Sequence, residues 1–149
     1  MTGDERLSKE EVTADSPYTI PGFFDALADG TLYGIRCRSC EEQLVPPRPA
    51  CYACGSTDVD LAEQPMSGTV YTYTAVHAPA AALREQAPFT VAVVELDSGA
   101  RLTGRVDATY DETAIGMPVR VRTRALESPE RELSREFETD WPLHVFEPI

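Results

Sequence analysis

Lysine is nearly missing from this chain of 149 residues: Lys9 stands alone beside twelve arginines. Acidic residues outnumber basic ones 25 to 13, and the formal net charge is −12. Two origins account for that balance. One is a salt-loving proteome, because in molar salt the screening length falls to about 3 Å and a carboxylate-rich surface stays hydrated. The other is a GC-rich genome in which arginine replaces lysine by codon usage. Under either, a dominant electrostatic grip on nucleic acid is not expected.

Other absences narrow the function further. No stretch approaches the roughly 20 apolar residues of a membrane span. The polar segment 1–17 lacks the apolar run of a secretory signal, so a flexible tail on a cytoplasmic protein is expected. Glycines 30, 34 and 55 are scattered turn positions and form no phosphate-binding loop. There are only two histidines, His77 and His144, and neither has a local partner motif. Carboxylates are so abundant that no pair stands out as acid and base. No catalytic residue is assigned, and the chain reads as a non-enzyme.

The four cysteines are the strongest positive signal. Cys37-Arg38-Ser39-Cys40 and Cys51-Tyr52-Ala53-Cys54 are two CxxC pairs with no sulfur left over. Each pair offers two thiolates from one tight turn, and two turns close a tetrahedral S4 shell around zinc. Such a shell has no open position, so the metal holds structure and does not activate water. Disulfides, a redox CxxC and an iron–sulfur site are the alternatives. The missing secretory signal and the missing βαβ pattern both weigh against them. Zn2+ bound by Cys37, Cys40, Cys51 and Cys54 is therefore expected.

Around that site the chain is mainly β. Residues Pro21 to Asp29 read as a short helix, with Pro21 in its first turn and Gly30 as its stop. Phe23, Phe24 and Leu27 would share one face, either as ordinary packing or as a surface for a partner. Leu32 to Arg36 leads as a strand into the first cysteine pair. Pro46, Pro47 and Pro49 make the stretch between the pairs a rigid connector. A unit this small cannot bury enough apolar surface to fold alone. Zinc must contribute, typically about 10–16 kcal/mol of apparent free energy.

From Gly68 the pattern becomes strands. Thr69–His77 alternates, with Val70, Thr72, Thr74 and Val76 on one face and Tyr71, Tyr73, Ala75 and His77 on the other. Phe89–Asp97 is a second strand, and Asp97-Ser98-Gly99 a hairpin turn into a third over Arg101–Val106. Val119–Leu126 alternates again, Glu127–Asp140 reads as a solvated loop or hairpin end, and Leu143–Phe146 closes the set. Five short strands without a long helix between them point to a small OB-fold barrel. The expected organisation is a tail over 1–17, helix plus zinc ribbon over 18–61, and barrel over 62–149.

These stretches together resemble domain-of-unknown-function family thirty-five, which joins a rubredoxin-like zinc ribbon to an OB-fold. The matching segments are FFDALADGTLYGIRC, CRSC…PPRPACYACGS, GTVYTYTAVH, FTVAVVELDSGARLTGRV and IGMPVRV, in that order. One departure is Glu41, where the family usually has glycine, which implies a slightly strained knuckle. The resemblance implies an accessory subunit of a thiolase-like or hydroxymethylglutaryl-CoA synthase-like enzyme, one that helps assemble the complex and bind the acyl-CoA. The alternative is a nucleic-acid-binding module, since zinc ribbons and OB-folds both serve that role.

Two residue sets are candidate contacts for a ligand or partner. Arg120, Arg122 and Arg124 share one face of a strand. They either pair with acidic neighbours or form an anion-binding stripe suited to CoA phosphates or an acidic surface. Tyr71, Tyr73 and His77 either stack a base, as aromatic faces of OB-folds do, or pack inward.

Overall fold

The computed structural model describes residues 16–133 and 141–149. The expected tail over 1–17 lies almost wholly outside the described residues, as does 134–140 of the expected solvated loop. The chain forms two compact units. One runs through Pro65 and includes Ser98–Arg101, and the other holds Met66–Asp97 and Leu102–Ile149.

The first unit begins with α1 (Ile20–Ala28). The Thr19 hydroxyl accepts from the Gly22 amide at the helix start, as an N-cap should. Phe23 and Leu27, four residues apart, are buried at 3% and 0% exposure. Phe24 is rotated about 100° away and is only half-buried. The expected shared aromatic face is therefore split: Phe23 is core, and Phe24 meets it edge-on at 5.1 Å.

Three antiparallel strands follow in the order β2-β1-β3: β1 (Tyr33–Cys37), β2 (Gln43–Leu44) and β3 (Val59–Glu63). Their small core comprises Tyr18, Ile35, Leu44 and Val59 together with the sulfur-bearing Cys37 and Cys51. Two of its six members are therefore metal-ligand candidates, so this hydrophobic core and the cysteine site are one object.

The second unit is a closed barrel of β4 (Ser67–Val76), β5 (Phe89–Leu96), β6 (Arg101–Val106), β7 (Pro118–Arg124) and β8 (Leu143–Pro148). The order around the barrel is β4-β5-β6-β8-β7, and β6 pairs with β8 in parallel. That is the five-stranded Greek-key closure of an OB-fold. Strand β5 alternates strictly, burying Thr90, Ala92, Val94 and Leu96. Gly68 permits its close crossing with β5, since a Cβ there would lie 2.2 Å from the Glu95 carbonyl oxygen.

A β-bulge overturns the expected faces of β4. Val70 pairs with Val94, but Thr72 pairs with Val93, so Tyr71 is an extra residue. The alternation changes phase there. Gly68, Val70, Tyr73 and Ala75 oppose the buried Leu96, Val94, Ala92 and Thr90, while Thr72, Thr74 and Val76 oppose the half-buried set. Tyr71 and Tyr73 consequently do not act as one aromatic face. Tyr71 is 48% exposed at the bulge, whereas the Tyr73 ring meets Tyr110 at 5.0 Å.

The stretch expected to be a solvated loop from Glu127 instead opens with α2 (Ser128–Arg131) and a buried acid. The Glu130 carboxylate takes two hydrogen bonds from Arg124, both at 2.7 Å, and one from the Glu127 amide at 2.8 Å. Arg105 lies 3.5 Å away. The bidentate Arg124 pair holds the Glu130 carboxyl down at about 2, against burial, which opposes ionisation. Its ionisation therefore stabilises the fold above the ordinary carboxylate range, and that contribution fades as pH falls from about 4.5 to about 2. Glu130→Gln should destabilise the barrel by about 2–4 kcal/mol at pH 7, because Arg105 and Arg124 lose their counter-charge. In urea titrations the gap between wild type and variant should close between pH 5 and pH 2. A gap independent of pH would contradict this account.

Candidate metal centre

The two cysteine turns are near copies of each other. In the first, the Glu41 amide donates to the Cys37 carbonyl at 2.9 Å and the Cys37 amide to the Glu42 carbonyl at 2.9 Å. In the second, the Gly55 amide donates to the Cys51 carbonyl at 2.7 Å and the Cys51 amide to the Ser56 carbonyl at 2.8 Å. Each turn closes through a residue at positive φ, Glu41 at 65° and Gly55 at 81°. The Ser39 hydroxyl donates to that of Ser56 at 2.9 Å, linking the turns side by side. Arg38, inside the first turn, anchors it to β3 through Asp60 at 2.6 and 2.9 Å.

These turns bring all four sulfurs within 4.8 Å of one another. Cys37 and Cys54 lie 3.6 Å apart, and Cys40 and Cys51 lie 3.7 Å apart. A disulfide needs about 2.05 Å. Four thiolates around a tetrahedral zinc, each at about 2.3 Å, stand about 3.8 Å apart. The spacing fits a metal shell and excludes cross-linked pairs. Cys37 and Cys51 are buried, while Cys40 and Cys54 are exposed.

The acidities of the bare thiols fit the same purpose. The Cys37 thiol is lowered to about 6, first by the Cys40 backbone amide, with further donation from Ser39 and the neighbouring sulfurs. Cys40 is pushed up to about 12: the Glu42 amide favours its thiolate, but burial and the three other sulfurs outweigh it. Without a cation the Cys37 thiolate is favoured, while those of Cys40 and Cys54 are disfavoured beside it. A divalent metal removes that conflict by neutralising all of them.

The other sequence-derived candidates do not gather at one place. Arg120 and Arg122 bond Glu147 at 2.7 and 2.6 Å, Arg122 also reaches Asp107 at 3.1 Å, and Arg124 is held by Glu130. The stripe is thus matched to carboxylates on β8, α2 and the β6–β7 connection. His144 is half-buried on β8, and its Nε2 donates to the Thr103 carbonyl at 2.7 Å. Burial lowers its pKa and keeps the ring neutral, which is a structural role.

His77, in contrast, lines a cavity of about 510 Å3 in the barrel unit, with Phe89, Thr90, Thr109, Tyr110 and Asp111. Sequence reasoning missed Tyr110 and Asp111. The available signal was Thr109-Tyr110-Asp111-Glu112, an S/T-x-x-E capping box outside any helix. The Thr109 amide donates to the Glu112 carboxylate at 2.9 Å, and the Glu112 amide to the Thr109 hydroxyl at 3.3 Å.

The two knuckles make opposite predictions. Gly55→Ala should destabilise the zinc-bound protein by about 1–2 kcal/mol through backbone strain alone, since a Cβ there meets nothing within 4 Å. Glu41→Gly should raise stability by about 0.5–1 kcal/mol, because the exposed Arg36 pair that it removes contributes little. Thermal unfolding of both variants checks this, and shifts of the same sign would contradict it.

Comparison with known proteins agrees with this architecture. Residues 24–60 match the family described as the ChsH2 rubredoxin-like zinc ribbon domain, and residues 61–124 match the ChsH2 C-terminal OB-fold domain. A DUF35 domain-containing scaffold protein of Methanocaldococcus jannaschii is 38% identical over 59% of this chain and 64% of its own length. Another of that description, from Pyrococcus furiosus, is 30% identical over 79% of this chain and 83% of its length. A probable enoyl-CoA hydratase alpha subunit of Thermomonospora curvata is 41% identical over 65% of this chain but only 30% of itself. The Thermomonospora relative is much the longer protein, and the chain spans less than two thirds of the Methanocaldococcus and Thermomonospora proteins. A chain of the solved Ltp2-ChsH2(DUF35) aldolase superposes with a TM-score of 0.64 at 32% identity, covering 85% of this chain and 91% of that one. With its cysteine ribbon and its five-stranded barrel, the chain belongs to the DUF35 family.

Proposed function

We propose that this chain is a non-catalytic accessory subunit that assembles with an enzyme of acyl-CoA metabolism, of the thiolase or hydroxymethylglutaryl-CoA synthase type, and supports binding of its CoA-linked substrate. The observation that carries the reading is the likeness to the DUF35 chain of the Ltp2-ChsH2 aldolase, which spans nearly all of both chains. Relatives described as scaffold proteins support the assembly role, and a relative described as an enoyl-CoA hydratase alpha subunit supports the CoA-linked chemistry. In this reading the ribbon (18–61) and the barrel (62–149) are the working modules, with Zn2+ holding the first in shape.

The chain's own chemistry suits a supporting role. Its sulfurs are committed to one cluster, and His144 to a backbone carbonyl. The arginine stripe argues against the nucleic-acid alternative, because its charges are answered by Glu147, Asp107 and Glu130. It also weakens that stripe as a phosphate site, so in this proposal the partner enzyme supplies most of the CoA phosphate contacts.

Affinity purification of the full chain from its own cells, in low and in molar salt, tests the proposal. A stoichiometric acyl-CoA enzyme should co-purify, and its activity should fall severalfold when the chain is stripped away. Recovery of the chain alone, with no effect on such an enzyme when added back, would contradict it. Turnover of an acyl-CoA by the isolated chain would contradict the non-catalytic part.

A further inference from the structure

We propose that the barrel cavity is a nucleoside site, which takes an uncharged, flat heterocycle carrying an exocyclic amine, of the adenine class. This goes beyond the accessory role and stands independently of it.

The cavity volume of about 510 Å3 lies in the range of small-molecule sites and exceeds what a single ring needs. Three separate segments meet there: the end of β4 brings Thr74 and His77, the start of β5 brings Phe89 and Thr90, and the β6–β7 connection brings Tyr110 and Asp111. The lining therefore combines three π-faced side chains with threonines and one carboxylate. Among the described residues, no lysine or arginine lines it. Arg105 sits 4.0 Å over the Phe89 ring and shares Glu130 with the closer Arg124.

That chemistry selects by exclusion. Phosphate and carboxylate groups meet Asp111 and find no cation among the described lining residues, so an anionic head is disfavoured inside the cavity. A fatty acyl chain would leave the hydroxyls and Asp111 without hydrogen bonds. A flat ring stacks on Tyr110, Phe89 or His77, as bases do on aromatic side chains of OB-folds. Its amine N–H groups donate to the Asp111 carboxylate.

Tyr110 gives the strongest reason to expect a ligand. It is 50% exposed, yet it is fixed in place. The reciprocal Thr109–Glu112 bonds lock its turn, and the Thr113 hydroxyl donates to the Thr109 carbonyl at 2.8 Å. The Tyr73 ring braces it at 5.0 Å. Folding gains little from holding a half-exposed aromatic so firmly, whereas a preorganised stacking surface gains directly.

Calorimetric or NMR titration of the full chain with adenosine tests the site. Binding with Kd below about 1 mM is expected, weakened at least about tenfold by Tyr110→Ala and little changed by Tyr110→Phe. Inosine, which has an oxygen in place of the amine, should bind more weakly, and Asp111→Asn should narrow that preference. Coenzyme A titrated in parallel identifies the source. Affinity equal to that of adenosine means the nucleoside end of a cofactor can occupy the cavity, and exclusion of coenzyme A means the free nucleoside is the ligand. No binding of adenosine at millimolar concentration, or binding indifferent to Tyr110→Ala, would overturn the proposal. So would oligodeoxyadenylate binding more than about 100-fold tighter with a steep salt dependence, which would assign the cavity to a nucleic-acid surface. None of these outcomes depends on whether an enzyme partner co-purifies.

Discussion

Four sulfurs brought within 4.8 Å of one another are the constraint on which the ribbon unit rests. Its hydrophobic core is a handful of residues, and two of them, Cys37 and Cys51, are also fully buried members of the sulfur cluster. Removing the cation would leave thiols that cannot all ionise beside one another, and a core too small to hold three short strands together. The positive-φ turns at Glu41 and Gly55 exist to aim those sulfurs, and the Arg38 fork ties the first turn to β3. Folding and metal binding are one event in this half of the chain.

The barrel follows a different logic. Its strands close on themselves, and its aliphatic interior from Val70 to Phe146 needs no metal. Charge is handled by local cancellation. Each arginine of β7 has a carboxylate within 2.7 Å or closer, so a protein with a net charge of −12 presents no strong cationic surface there. What the barrel offers to other molecules is a partly aromatic cavity carrying one carboxylate, together with the exposed Tyr71 at the bulge. That suits a supporting subunit better than a binder of polyanions.

Much of this was legible in the sequence. The CxxC pairs gave the metal ligands because tight turns leave thiolates few other geometries, and the apolar, β-branched run from Phe89 gave β5 to within one residue. Three readings failed for identifiable reasons. The single extra residue at Tyr71 reversed the faces of β4, and no local pattern marks a bulge within an alternating run. Phe23 and Phe24 lie about 100° apart around the helix, so only Phe23 reaches the core and Phe24 stays half-buried at the edge of the stripe. The acid-rich segment from Glu127 read as solvated, but Glu130 is buried because Arg124, six residues earlier, and the more distant Arg105 supply its counter-charge. The cavity beside Tyr110 was equally non-local, since it is assembled from the end of β4, the start of β5 and the β6–β7 connection.

The central claim concerns the sulfur cluster, and X-ray absorption at the zinc edge of full-length protein, prepared without chelator, tests it most directly. One zinc per chain surrounded by four sulfur scatterers at about 2.3 Å is the expected result. A shell dominated by nitrogen or oxygen, or a metal-free protein whose cysteines are joined in disulfides, would contradict it.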